Sequence, residues 1–290
     1  MIVNALTVDV EDYYHVSAFE GTVQRDQWDE HASRVVGNTR RLLDLLARHG
    51  VRATFFVLGW VADRHPQLVR DIHAAGHEIG SHGYWHRLIY RQSADEFRRD
   101  LRQARRALED AAGAAVTAYR APSFSITRHS QWALEVLVEE GFRVDSSVFP
   151  IYHDRYGLPG AERRIHPIIT PAGTLWEFPP SVVKWAGCTL PIGGGGYLRL
   201  YPLWLTRCGL AGINRREGSP FLVYVHPWEL DPGQPRLGGC SLLSRFRHYV
   251  NLGGTQRKLD ALLSCFRFEP ISQVVRNRQD AAVPEKTVSP

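Results

Sequence analysis

Residues 53–81, ATFFVLGWVADRHPQLVRDIHAAGHEIGS, contain the pattern that decides the fold. An apolar run rich in aromatic and β-branched residues, 53–58, is typical of a buried strand. Positions 61–75 are predicted to form a helix, whose end is marked by Gly76. A second strand-like run, 77–81, follows directly. A strand, a helix and a strand in this order predict a β-α-β unit, in which the two strands lie parallel in one sheet.

The same alternation extends over the first 150 residues, with further strands predicted at 3–8, 117–121 and 142–146 and helices at 33–49, 93–112 and 130–140. Beyond residue 150 it loosens into segments rich in Pro and Gly, until a strand at 221–225 restores it. We therefore predict an α/β fold, namely an irregular (β/α)7-type barrel. Residues 1–276 should form a single domain, of which about 150–276 is a less regular C-terminal portion.

Local signals predict several boundaries. Ser93-Ala94-Asp95-Glu96 has the form of a capping box, which specifies the start of a helix. Gly193 to Gly196 predict a sharply turned loop rather than a phosphate-binding loop, because no Lys-Ser/Thr follows and no clear helix opens there. The remaining predictions are helices at 241–250 and 255–266, a closing strand at 269–275 and a disordered tail at 277–290.

The composition restricts the class of protein. The chain has 290 residues, 44% hydrophobic content and a formal net charge of +5, and 32 of its 35 basic residues are arginine. These arginines are spread among acidic residues in helix-like segments, which argues against nucleic-acid binding. Neither a signal peptide nor an apolar run of 18 residues is recognisable, so we expect a cytoplasmic protein without stable membrane insertion.

Charged or titratable residues follow five of the predicted strands. In barrel-like α/β folds the reactive groups lie at the carboxyl ends of strands, so these residues should gather at one end of the molecule. In chain order they are Asp9, Glu11 and Asp12 after the first strand, His82 and His86 after the third, Arg120 after the fourth, Asp145 after the fifth, and His226 after the late strand.

His82 and His86 are predicted to bind a metal ion. They are four residues apart, about one helical turn, so both imidazoles can face the same point. A carboxylate from the cluster Asp9-Val10-Glu11-Asp12 would complete a set of two nitrogen ligands and one oxygen ligand. This set suits a divalent ion, zinc first, with cobalt, nickel or iron also compatible.

Five motifs occur in the order of a known family: Thr7-Val8-Asp9-Val10-Glu11-Asp12, Ser81-His82-x-x-x-His86, Arg120-Ala121-Pro122, Asp145-Ser146-Ser147 and Val225-His226-Pro227. With them the chain resembles the polysaccharide deacetylases of the NodB-homology type, carbohydrate esterase family 4, over about residues 3–230. Residues 9–15 and 226–229 are also similar to a subgroup encoded beside exopolysaccharide and exosortase loci in Gram-negative bacteria.

The resemblance implies a role for each strand-end residue. Asp9 would be the general base that takes a proton from water, and His226 the general acid that protonates the departing amine. Arg120 would pair with Asp9, and Asp145 would pair with His226. The expected activity is metal-dependent removal of N-acetyl groups from N-acetylhexosamine units of a bacterial exopolysaccharide or its precursor.

The chain departs from the family in the first motif, where the common form has two adjacent aspartates. Adjacent strand residues point to opposite faces, so Glu11 shares the face of Asp9. We therefore favour Glu11 as the carboxylate ligand. Asp12 is the alternative, if the strand ends at Asp9 and the chain turns.

Residues near these motifs are candidates for contacts with a sugar: Tyr84, Pro122, Phe124, Trp176 and Trp228. Their alternative role is ordinary core packing, since the chain has many aromatic residues to bury. Two other functions remain open from the sequence. One is hydrolysis of another C–N bond, such as that of a small cyclic amide or ureide, and the other is carbohydrate binding by a degenerate site. The oligomeric state is not predicted.

Overall fold

The computed structural model describes residues 1–282 of the chain. The strands are β1 (Val3–Val10), β2 (Thr54–Val57), β3 (Glu78–Ser81), β4 (Ala118–Tyr119), β5 (Val144–Asp145), β6 (His166–Thr170), β7 (Gly173–Glu177), β8 (Val182–Trp185), β9 (Cys188–Pro191), β10 (Leu222–Val225) and β11 (Arg267–Glu269). The helices are α1 (Val35–Arg48), α2 (Gly59–Arg64), α3 (Pro66–Ala74), α4 (Ala94–Ala112), α5 (Trp132–Glu139), α6 (Gly195–Leu200), α7 (Leu203–Glu217), α8 (Leu242–Tyr249), α9 (Leu252–Leu263) and α10 (Ile271–Ala282).

One sheet organises the molecule, with strand order β10-β1-β2-β3-β4-β5-β7-β6. Every neighbouring pair is parallel except β6 and β7, which are antiparallel, and β11 pairs in parallel with the start of β1. The α/β class predicted from the sequence is confirmed. The strands predicted at 3–8, 53–58, 77–81, 117–121, 142–146 and 221–225 are β1, β2, β3, β4, β5 and β10.

In chain order, the hairpin of β8 and β9 follows β7 and precedes β10. The amide of Leu222 donates a 2.7 Å hydrogen bond to Oγ of Ser181, at the base of this hairpin. Gly194, just after the hairpin, forms a parallel bridge with Tyr224 of β10. A side chain at Gly194 would collide with the Tyr224 backbone, so the glycine run permits this close approach. The short helix α6 opens at Gly195, where the sequence had predicted none.

The concave side of the sheet encloses an apolar group of side chains, here called the interior cluster: Ala5, Phe56, Ala118, Phe124, Val144, Phe149, Ile151, Phe178, Val182, Leu222, Tyr224, Ile271, Val274 and Val275. Helix α10 supplies its last three members. Because the amide of Ile271 bonds to Oγ1 of Thr54, the first residue of β2, α10 covers the amino-terminal ends of the strands. The opposite, carboxyl ends are left for polar groups.

The closing strand predicted at 269–275 is wrong. Pro270 has no N–H to donate, and helix α10 begins immediately after it. Ile271, Val274 and Val275 are spaced i, i+3, i+4, so they lie on one helical face that packs on the interior cluster. The tail predicted from residue 277 also starts too early, because α10 continues to Ala282. Positions 283–290 lie outside the described residues.

The capping box at Ser93 is present. Oγ of Ser93 accepts a hydrogen bond from the amide of Glu96, and the Glu96 carboxylate accepts one from the amide of Ser93. In residues 1–282, none of the helices is long and apolar enough to cross a bilayer.

Candidate active site and metal centre

The candidate site lies at the carboxyl ends of β10, β1, β2 and β3, which are consecutive neighbours in the sheet. Glu11 follows the last residue of β1, His82 follows β3, and His226 follows β10. Parallel strands bring their carboxyl ends to the same edge, and residues far apart in the sequence therefore meet.

Glu11, His82 and His86 form a buried group whose ligand atoms all lie within 4.8 Å of one another. Nε2 of His86 is 2.8 Å from Oε2 of Glu11, and the two imidazole rings have centroids 5.3 Å apart. His86 has a positive φ of 51°, an uncommon conformation for a histidine. The chain thus holds His86 in a costly backbone geometry that turns its ring toward Glu11.

The donor set of these three residues fits a divalent metal ion. Nδ1 of His82 donates to the carbonyl of Arg120 at 2.8 Å, which leaves the lone pair on Nε2 free. Oε1 of Glu11 accepts from Nε1 of Trp228 at 3.2 Å. Oε2 of Glu11 is buried and has no hydrogen bond of acceptable geometry. A buried carboxylate oxygen without a donor is costly, and a cation at this point would compensate it.

The protonation states of His82 and Glu11 suit metal binding. Burial lowers the pKa of His82 to about 4, so its ring is neutral at neutral pH. Burial alone would raise the pKa of Glu11, but the neighbouring His86, His226 and His82 lower it well below its usual range. A neutral imidazole and an ionised carboxylate are the forms that ligate metals.

Asp12 does not join this group. Its Oδ2 accepts hydrogen bonds from Oγ of Ser33 at 2.8 Å and from the amides of Arg34 and Val35 at 2.7 and 3.0 Å. These amides belong to the first turn of α1 and have no partner within the helix. The carboxylate of Asp12 therefore acts as the N-terminal cap of α1.

Asp9 and Arg120 form a buried ion pair, as the family resemblance implied. Nη1 of Arg120 lies 2.7 Å from Oδ1 of Asp9 and 2.7 Å from Oγ1 of Thr7, while Nη2 donates to Oγ of Ser146 at 2.8 Å. The guanidinium also lies over the ring of Phe56, 4.4 Å from its centroid. The position of Oδ1 is thus fixed, and Oδ2 of Asp9 faces His226 at 3.7 Å.

The predicted pairing of His226 with Asp145 is wrong. Nδ1 of His226 lies 3.2 Å from Oε2 of Glu229, three residues later, in the turn that contains Pro227–Leu230. Glu229 is in turn held by Nε of Arg199 at 2.8 Å. Burial alone would lower the pKa of His226, but the hydrogen bond and charge of Glu229, with the charges of Glu11 and Asp9, raise it to about 9. Among the groups that raise the pKa of His226, Glu229 contributes most.

Replacing Glu229 by glutamine should lower the pKa of His226 by at least about one unit, equivalent to about 1.4 kcal/mol of lost interaction with the imidazolium. The amide keeps the size of the side chain but removes its charge. NMR titration of the His226 ring would measure the change, with Glu139→Gln on the surface of α5 as the matched control. An unaltered midpoint in the Glu229→Gln protein would contradict the assignment of Glu229.

Asp145 instead forms a carboxyl pair with Glu177. The two residues are register partners in β5 and β7, and both are fully buried. Oδ1 of Asp145 accepts from Oγ of Ser147 and Oε1 of Glu177 accepts from the amide of Val148, which leaves Oδ2 of Asp145 and Oε2 of Glu177 without donors. Burial raises the pKa of both groups, and the charge of Asp145 raises that of Glu177 further. A proton held between the two carboxyl groups would satisfy both of these oxygens and remove the repulsion between the charges.

This pair makes stability depend on pH. A carboxyl group whose pKa is raised in the folded protein stabilises the fold at low pH, and this contribution is lost as pH rises through the folded-state pKa. Glu177→Gln supplies an amide donor in place of the shared proton. We expect the fall in Tm between pH 5 and pH 8 to be smaller in Glu177→Gln than in the parent, while Glu139→Gln keeps the parent's fall. An equal fall in all three proteins would show that the pair carries no proton.

Beside the site lies a cavity of about 740 Å³. Of the five residues predicted to contact a sugar, Trp228 lines this cavity and the other four do not. Tyr84 is buried and donates its hydroxyl to Asp63, Phe124 belongs to the interior cluster, Pro122 is buried, and Trp176 packs on the interior cluster beside Phe178. Trp176 and Phe178 share one strand face as predicted, but that face points into the core.

Two site residues, Glu229 and Arg199, were missed from the sequence, and one role of Trp228 was missed as well. Glu229 had a signal, because a glutamate three residues after His226 can bond back to it across one turn. Trp228 was considered only for sugar contact, yet its Nε1 also binds Glu11. Arg199 had no signal, since its contact with Glu229 joins two helical segments 30 residues apart.

The comparisons with known proteins divide the chain in two. Residues 27–143 match the sequence model of the family described as polysaccharide deacetylase. Over these residues the chain is similar to the polysaccharide deacetylases. Residues 146–276 match a domain of unknown function, DUF3473. The first matched region contains His82, His86 and Arg120, and it is preceded by Asp9 and Glu11. The second matched region contains His226. Strands from both regions join the main sheet.

Curated relatives of this chain are named as deacetylases of sugar polymers or oligomers. The chain is 37% identical over 98 residues to a peptidoglycan-N-acetylglucosamine deacetylase of Bacillus cereus, which is 33% of this chain and 36% of the relative. It is 32% identical over 99 residues to a chitooligosaccharide deacetylase of Rhizobium leguminosarum bv. trifolii, which is 34% of this chain and 43% of the relative. The chain thus spans less than half the length of these relatives.

The fold is shared with a solved structure over its whole length. A candidate polysaccharide deacetylase from Mycobacterium smegmatis superimposes with a TM-score of 0.65 and 23% sequence identity, covering 100% of this chain and 94% of that one. Both matched regions therefore have a structural counterpart in one other protein.

Proposed function

We propose that this protein is a metal-dependent hydrolase that removes N-acetyl groups from N-acetylhexosamine units of a bacterial exopolysaccharide or its precursor. The observation that carries the proposal is the convergence of Glu11, His82 and His86 on one point, with Asp9 and His226 beside them. The names of the curated relatives support a sugar N-acetyl group as the substrate. The exopolysaccharide rests on the subgroup resemblance of residues 9–15 and 226–229.

Each residue has a distinct task in amide hydrolysis. A divalent ion bound by Glu11, His82 and His86 would polarise the acetyl carbonyl and make water more acidic. Oδ2 of Asp9 accepts a proton from the attacking water, while Arg120 keeps Oδ1 in place. Nε2 of His226, which lies 3.7 Å from both Oδ2 of Asp9 and Oε1 of Glu11, donates a proton to the departing amine. Two groups with opposite proton tasks thus face the same space.

Acetate release from N-acetylglucosamine oligomers, measured with a chelator and after metal is restored, tests this function. We expect release that the chelator abolishes and a divalent metal restores. Release that a chelator does not affect would overturn the metal mechanism. Hydrolysis of a small cyclic ureide without any acetate release would favour the alternative C–N bond, and sugar binding without turnover would favour a degenerate site.

Glu11→Ala and Asp12→Ala should separate the two candidate carboxylate ligands. Loss of a residue that hydrogen-bonds to a metal ligand typically lowers metal affinity about 10–100-fold. Glu11→Ala removes a ligand itself, so we expect a larger loss of metal affinity. Asp12→Ala should keep the metal and lose about 0.5–2 kcal/mol of stability, because it removes a helix cap. Bound metal per chain and urea unfolding measure the two effects. Loss of the metal in Asp12→Ala with retention in Glu11→Ala would reverse the assignment.

A further inference from the structure

The cavity beside the site has a direct connection to the proposed chemistry. Trp228 lines it and also donates to Glu11. Tyr224 lines it as well, and its ring centroid lies 5.9 Å from that of His226. A glycan whose N-acetyl group reaches the site would therefore place a neighbouring sugar in this cavity.

Four arginine side chains from separate parts of the chain line the cavity: Arg91, Arg155, Arg199 and Arg247. Arg199 lies 2.8 Å from the carboxylate of Glu229. Arg91 lies 3.0 Å from Glu20, which also lines the cavity. Arg155 donates to Oγ of Ser244 at 3.2 Å and has no carboxylate within 4 Å among the described side chains. Arg247 has Asp154 at 3.8 Å, a side chain that is 61% exposed. The guanidinium groups of Arg155 and Arg247 thus lack a close counterion, unlike those of Arg91 and Arg199.

Several arginines elsewhere in the described chain have a carboxylate at a shorter distance, whereas others, such as Arg70, have none within 4 Å. Arg98 and Arg102 both contact Glu140, Arg98 at 3.1 Å and Arg102 at 2.8 Å, and Arg64 contacts Asp29. Like charges brought together repel each other unless an anion offsets them. A guanidinium with free donors at a cavity wall is suited to bidentate binding of a carboxylate or phosphate.

Aromatic rings lie among these arginines. Tyr156 stacks on His153 with a centroid distance of 3.8 Å, and its hydroxyl is 3.4 Å from that of Tyr197. Together with Trp228, which is 4% exposed, they supply aromatic side chains and hydroxyl groups to the wall of one cavity. Small-molecule sites typically combine aromatic side chains with a few charged groups that fix orientation.

We infer that this cavity binds a sugar that carries an anionic group, a carboxylate or a phosphate, adjacent to the N-acetylhexosamine unit. Arg155 and Arg247 bind the anionic group, and Tyr156 and Trp228 contact the sugar ring. The substrate class is then an acidic glycan rather than a neutral one. This inference rests on the proposed function, because it assigns a substrate class to the same site.

Calorimetric titration with two tetrasaccharides of equal length tests the inference. One alternates N-acetylglucosamine with glucuronic acid, and the other contains N-acetylglucosamine alone. We expect the acidic tetrasaccharide to bind at least about tenfold more tightly at low salt, with a preference that declines as salt screens the charges. The double variant Arg155→Gln/Arg247→Gln should lose the preference but keep binding of the neutral compound. Arg70→Gln/Arg106→Gln, on the outer faces of α3 and α4, removes the same charge and should keep the preference.

The outcomes separate this inference from the proposed function. The acidic-glycan assignment is overturned if the two tetrasaccharides bind equally, if neither binds, or if both double variants have the same effect. This holds whatever the enzyme hydrolyses. Binding does not require turnover, so a preference for the acidic compound supports the assignment even if no acetate is released. Absence of acetate release would overturn only the deacetylase proposal. Competition by inorganic diphosphate or by free glucuronate distinguishes phosphate from carboxylate as the recognised group.

Discussion

Asp9→Asn should lower kcat for acetate release by about 10²–10⁴-fold, the usual contribution of a general base. The asparagine oxygen can still accept the hydrogen bond from Arg120, so the local structure should persist. The amide nitrogen in place of Oδ2 cannot accept a proton from water. Because Asp9 is not one of the three residues that converge on the metal point, bound metal should be unchanged.

Steady-state kinetics and metal content measured on the same preparation separate these effects. Asp29→Asn, which removes a carboxylate from a surface ion pair with Arg64, is the matched control and should keep the parent's kcat. If Asp9→Asn hydrolysed its substrate at the parent's rate, Asp9 would not be the base. If its metal were lost, the defect would have to be assigned to ligation instead.

The sequence predicted the elements that local periodicity determines. The strands of the β-α-β unit at 53–81 are β2 and β3, and the capping box at Ser93 begins α4. The single helix predicted at 61–75 is divided into α2 and α3, because His65 precedes Pro66 and is not helical. The sequence also predicted which residues lie at strand ends. A residue that directly follows an apolar run can be recognised without knowing which strands are neighbours in the sheet. Asp9, Glu11, His82, His86, Arg120 and His226 all meet at one end of the sheet for this reason.

Partners across the sheet could not be predicted in the same way. Asp145 contacts Glu177 because β5 and β7 are parallel neighbours in a particular register, and the periodicity of neither strand contains that information. The partner of His226 depends on the turn after β10, where Glu229 is close enough to reach the imidazole first. Likewise, Trp176 packs on the interior cluster because β7 pairs with β5, a pairing that the sequence of β7 alone does not contain.

The stability of the fold and the proposed reaction both depend on the buried guanidinium of Arg120. It is fully buried and binds Asp9, Thr7 and Ser146 at once, so it links β1 to the segment after β5. Arg120→Met would leave the carboxylate of Asp9 buried without its cation. Breaking a buried ion pair in this way typically costs about 3–5 kcal/mol, and we expect a loss of this size in urea unfolding.

A double-mutant cycle shows how much of that loss comes from the unpaired charge. Asp9→Asn in the Arg120→Met background removes the orphaned carboxylate, so the double variant should be more stable than Arg120→Met alone. Arg106→Met, at an 86% exposed side chain paired with Asp110 on α4, is the control and should cost less than about 1 kcal/mol. Additive effects of the two site changes would mean that the ion pair contributes nothing beyond packing. A double variant that regains stability but not activity would show that this end of the sheet can fold without the charges, and that the charges serve the reaction.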